Sequence, residues 1–94
     1  MTIYKEIEKP EDIRKINEMI REDMSRAKDL RELEKYLDRS RYLITLSAGC
    51  VNSPTHPWRS KFSRSECEKM LKIAREEYEK TKQTYLRIKK LLEG

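Results

Sequence analysis

Apolar residues recur at steps of three and four from residue 13 to residue 37: Ile13, Ile16, Ile20, Met24, Ala27, Leu30, Leu33 and Leu37, with charged residues between them. That period puts one apolar stripe along a helix and leaves the remaining faces in water. Pro10 suits a first helical position, and Glu11 and Asp12 set carboxylates beside the positive end of the helix dipole. No glycine or proline interrupts residues 11–48, so this segment is expected as one long bent helix or as two helices with a joint near residues 27–30. Its end, RYLITL at residues 41–46, is rich in β-formers and could instead pair as a short strand with TIYKEIE at residues 2–8. Helix is favoured, because the next breaker is Gly49, a natural C-cap.

A second long helix is expected from residue 63. Ser63 and Glu66 have the spacing of a capping box, with Ser65 and Glu68 as the alternative pair. Beyond them runs a near-heptad seam of Cys67, Leu71, Ala74, Tyr78, Thr81, Tyr85, Ile88 and Leu92. Met70, Ile73 and Leu91 broaden that stripe, so the helix should touch more than one neighbour. The expectation is therefore an all-α chain, a helical hairpin or small helical bundle with a long C-terminal helix and at most a minor two-stranded element. Its parts are an arm (1–9), a helical segment (10–48), a loop (49–62) and a long helix (63–94).

Composition adjusts this picture. Only 36% of the 94 residues are hydrophobic and 41% are charged, so a single copy can hide little apolar surface. A homo-oligomer or a helical protein partner is expected on that ground, through the seam residues Leu71, Tyr78, Tyr85, Ile88 and Leu92. The strongest apolar run, residues 43–46, is far too short to span a membrane, and the first residues lack the apolar core of a secretory signal. A cytoplasmic protein with no membrane partner is expected. Glu and Lys are abundant, whereas glutamine occurs once and asparagine twice, a thermophile-like bias in which charge density reflects surface ion-pair networks.

The formal net charge is +5, and the whole excess lies after residue 48. Between Lys80 and Leu92 stand five bases, Lys80, Lys82, Arg87, Lys89 and Lys90, with no carboxylate among them. In the loop, CVNSPTHPWRSKF gathers the only histidine, tryptophan and phenylalanine of the chain around two prolines. Two readings of this loop stand side by side. In one, Val51, Trp58 and Phe62 are a lid on the end of the bundle. In the other, Trp58 offers a stacking face while Arg59, Lys61 and Arg64 reach phosphates, and Lys82, Arg87, Lys89 and Lys90 track the backbone of RNA or DNA. The row Arg75, Lys82, Lys89 has a matching alternative, in which its cations pair with glutamates of a neighbouring helix.

Catalytic and metal readings are weaker. Cys50 follows a glycine, but a phosphatase-like loop needs an arginine six residues on, where His56 stands. Cys50, His56 and Cys67 are too scattered, and one ligand short, for a structural zinc site. Cys67 reads as a small core residue, with a Cys50–Cys67 disulfide as the alternative. No cofactor and no enzymatic activity are expected. The functional expectation is a small basic binding module for nucleic acid, or else a protein-interaction or assembly factor acting through the seam.

Overall fold

In a computed structural model, residues 7–94 are described; the N-terminal arm and any strand within it fall mostly outside that range. Three helices follow one another: α1, Asp12–Met24; α2, Leu30–Asn52; and α3, Arg64–Glu93. A single 3-10 turn, Pro57–Ser60, interrupts the connection between α2 and α3. The chain is all-α, and among the described residues there is no strand, because residues 41–46 continue α2. Contacts fix the topology. Lys69 pairs with Glu11 and Arg14 with Glu76, so α1 runs parallel to α3; Cys50 meets Cys67 and Arg41 meets Tyr78, so α2 is antiparallel to both. Thirty residues of helix span about 45 Å, which matches the 46 Å long axis of the molecule. No helix among the described residues is long and apolar enough to cross a membrane.

Each helix starts for a local reason. Before α1, i→i+3 bonds from Asp12 N to Lys9 O and from Ile13 N to Pro10 O make a tight lead-in turn. The Asp12 carboxylate reaches back to accept from Glu8 N at 2.8 Å and Lys9 N at 3.2 Å. Those donors hold its pKa below the ordinary carboxylate value. Pro10 thus precedes the helix instead of opening it. The segment 10–48 resolves into two helices, with the joint at residues 25–29. There Asp29 caps α2 by accepting from Glu32 N at 2.8 Å, while Glu32 accepts from Lys28 N at 3.4 Å. The D-x-x-E spacing of Asp29 and Glu32 was a readable start signal that the hydrophobic period alone passes over. At α3 the capping box is formed in both directions: Ser63 Oγ accepts from Glu66 N and Glu66 Oε1 accepts from Ser63 N.

Gly49 is not a C-cap. The helix runs three residues further to Asn52, and a Cβ at position 49 would sit 3.0 Å from His56 Cδ2. The glycine lets the imidazole lie against the backbone of α2, and the connection shortens to eleven residues, 53–63.

The stripe buried on α3 is also turned from the heptad seam. It comprises Cys67, Met70, Ile73, Ala74, Glu77, Thr81, Tyr85 and Ile88. As the broadened stripe predicts, two helices pack on α3 and Met70 and Ile73 are covered, but the covered face also takes in Glu77 and leaves Leu91 exposed. Leu71 and Tyr78 become half-buried and Leu92 exposed. Tyr85 and Ile88 are buried within the single chain, so these two cannot serve another copy while the bundle is closed.

At mid-bundle a polar node ties one residue of each helix to the next. Asn17 Oδ1 accepts from Ser40 Oγ at 2.5 Å and from Thr81 Oγ1 at 3.0 Å, and Asn17 Nδ2 donates to Ile13 O. Arg21 Nη1 donates to Thr81 Oγ1 and stands 3.2 Å from Glu77 Oε1, an ion pair without good hydrogen-bond alignment. Glu77 is 1% exposed, with Arg14 and Lys80 facing its other oxygen. Slipping α1 along α3 would take Arg14 and Arg21 away from this buried carboxylate and leave it only Lys80 of its own helix, so the node selects the register more than it adds net stability.

Candidate functional site

The loop that carried one candidate site is built inward. Trp58 and Phe62 are 2% and 3% exposed and meet edge to face, with centroids 6.4 Å apart; His56 also meets Trp58 edge to face, at 5.6 Å. The arrangement follows from backbone chemistry. His56 Nδ1 accepts from Trp58 N at 3.2 Å and caps the 3-10 turn, and Phe62 N closes on Trp58 O at 2.7 Å. An acceptor nitrogen must be unprotonated, and burial lowers the His56 pKa in the same sense. Beneath the turn Cys50 and Cys67, both fully buried, form a disulfide across a separation of 17 residues. Cys67 is therefore a core residue and a bonded one at once. A cross-link over a loop of this size stabilises the folded state by about 3 kcal/mol in the chain-entropy account.

This geometry corrects the stacking role of Trp58, whose faces are covered by the protein itself. It also redirects two of the loop cations. Arg59 Nη1 donates to Cys50 O at 3.1 Å and ties the lid to α2, and Lys61 Nζ donates to Ile7 O at 2.6 Å and ties it to the segment ahead of α1. Of the four loop-side candidates Lys61 and Arg64 are exposed and in no ion pair among the described residues, Lys61 tied by its bond to Ile7 O and Arg64 standing at the first turn of α3. The disulfide likewise occupies both sulfurs, so Cys50 presents no thiolate to His56 and no ligand to a metal in this state. No group of three or more potential metal-ligating residues occurs among the described residues.

The second half of α3 is built outward. Lys82, Arg87 and Lys90 are exposed and Lys89 is half-exposed, its ammonium 5.9 Å above the Tyr85 ring. None of the four takes part in an ion pair among the described residues, nor does Arg75. Among the described residues the row Arg75, Lys82, Lys89 thus does not pair with glutamates of a neighbouring helix. The inter-helix ion pairs use Arg14, Arg21 and Lys69 instead. Positions 82, 86 and 90 follow at i, i+4 and i+8, so Lys82, Leu86 and Lys90 share one outward ridge about 12 Å long. Leu86 is 46% exposed on this ridge, and Leu91 and Leu92 are exposed beyond it.

The arrangement can attract an anionic surface. It can also offer three leucines to an apolar one. It contains no nucleophile paired with a base. Family models, curated proteins and solved structures yield no match to this chain.

Proposed function

We propose that this protein is a non-enzymatic helical module that binds nucleic acid by its phosphate backbone, through the outer face of the second half of α3. The observation that carries the reading is the carboxylate-free run from Lys80 to Leu92, in which Lys82, Arg87, Lys89 and Lys90 are in no ion pair among the described residues. Cations left unmatched on a rigid ridge release counterions from a polyphosphate on binding, which favours association without any base-specific contact. The lid at the other end then acts as support, holding α2 and α3 together.

Fluorescence anisotropy of labelled duplex and single-stranded RNA and DNA across a salt series tests this. Binding that persists near physiological ionic strength, with a log–log salt slope of about −3 to −4 on duplex DNA for four phosphate contacts, supports the reading. The double variant Lys82→Glu with Lys90→Glu should then lose about tenfold or more in affinity while its melting temperature stays nearly the same. Unaltered binding by that variant would contradict the reading.

The exposed Leu86, Leu91 and Leu92 favour a second reading, a protein partner or a second copy docked at the same end. Leu86→Ser with Leu91→Ser would then lower the mass seen by light scattering or release a bound partner, whereas charge reversal of the lysines would not.

A further inference from the structure

The one exposed aromatic ring among the described residues is Tyr42, at 48%, on the outer face of α2. It belongs to no site considered so far. Lys35, Asp38, Arg39 and Tyr42 line a shallow open depression. They lie at i, i+3, i+4 and i+7 and so on one face of the helix. The single acid in this set is already engaged: Asp38 Oδ1 accepts from Arg41 Nη1 at 3.0 Å. Arg41 also donates to Tyr78 OH, which draws that ion pair toward α3. Lys35 and Arg39 are in no ion pair among the described residues, and the Arg39 guanidinium lies 5.3 Å over the ring of Tyr36. An exposed ring with two cations one helical turn apart is the chemistry of a stacked nucleotide, in which the ring faces the base and the cations face the phosphate.

We infer that the Tyr42 depression binds a planar base with its attached phosphate, by stacking on Tyr42 and by ionic contact with Lys35 and Arg39. This site lies on α2 and does not depend on the α3 ridge. A single strand and a free nucleotide share the chemistry, and the measurement separates them.

The test uses the Lys82→Glu, Lys90→Glu chain as background, so that the α3 ridge does not contribute. A labelled eight-nucleotide single strand, an abasic strand of equal length and free AMP as competitor are the probes. Tyr42 is half exposed and in no hydrogen bond among the described residues, so its substitution leaves the fold intact, which circular dichroism verifies. In this background Tyr42→Ser should weaken binding of the intact strand about tenfold, Tyr42→Phe should restore it, and the abasic strand should bind the unsubstituted background as weakly as the intact strand binds Tyr42→Ser. Competition by AMP would identify a free nucleotide as sufficient, and its failure beside strand binding would identify the strand. Equal binding of intact and abasic strands, no effect of Tyr42→Ser, or no binding to any probe would overturn the inference. If the α3 variant alone binds like the unmodified protein while the Tyr42 effects hold, only the α3 reading fails.

Discussion

Two groups of cations, alike in sequence, meet opposite fates in this molecule. Arg59 and Lys61 follow a tryptophan in a proline-bounded loop and turn back onto backbone carbonyls of Cys50 and Ile7. Lys82, Arg87 and Lys90 stand on the outward side of α3 and keep their charge in water. The difference teaches that local aromatic company is a poor guide to an open basic surface. An aromatic side chain in a short connection is drawn into the nearest core, and the cations beside it then cover backbone acceptors that the turn leaves unpaired. On a helix the backbone is already satisfied, so a charged side chain on the outer face has no such use.

The comparison breaks most easily at Trp58. Replacing it with alanine removes a ring that plugs the end of the bundle, and the expected loss is about 3–5 kcal/mol. At about 4–8 °C per kcal/mol for a domain of this size, thermal unfolding would show a drop well above 10 °C. Nucleic-acid affinity per folded molecule should not change.

A smaller effect is expected from Arg59→Ala with Lys61→Ala, which leaves two carbonyls to water at a half-open edge and should reduce stability by about 1–2 kcal/mol. The informative part is the pairing of results. Denaturant unfolding should register the loss, whereas anisotropy should show nearly the same affinity, the reverse of what a phosphate-binding loop would give.

The smallest effect concerns His56. Its folded pKa is depressed by burial, below the unfolded value of about 6.5. The folded state therefore takes up a proton less readily than the unfolded state, so the contribution to stability is fully present above pH 6.5 and declines as pH falls through that value toward the folded pKa. Carboxylates such as Glu11 and Asp12, whose pKa values are lowered, act in a separate range below about pH 4.5. Melting temperatures at pH 7.5 and 5.5 should differ more for the natural protein than for His56→Gln. Equal differences would remove histidine from the lid's chemistry.

Much of the fold was legible in the order of residues, because the helix period and the Ser63–Glu66 capping box act locally. Gly49 was not, since its role depends on His56 arriving from the loop seven residues later. Glu77 escaped for another reason. A seam is counted in apolar residues, whereas this carboxylate is buried because Arg14 and Arg21 reach it from α1 and Lys80 from its own helix. The candidate site divided along the same line. Cation positions on α3 follow from the period alone, but whether Trp58 or Tyr42 faces water depends on tertiary packing, which buries the first ring and leaves the second exposed.

The most direct test of the α3 assignment is backbone amide chemical-shift mapping with a twelve-base-pair duplex. Perturbations concentrated at residues 82–92, with residues 55–63 unmoved, are the predicted result. Perturbations centred on the lid, with the end of α3 silent, would contradict it.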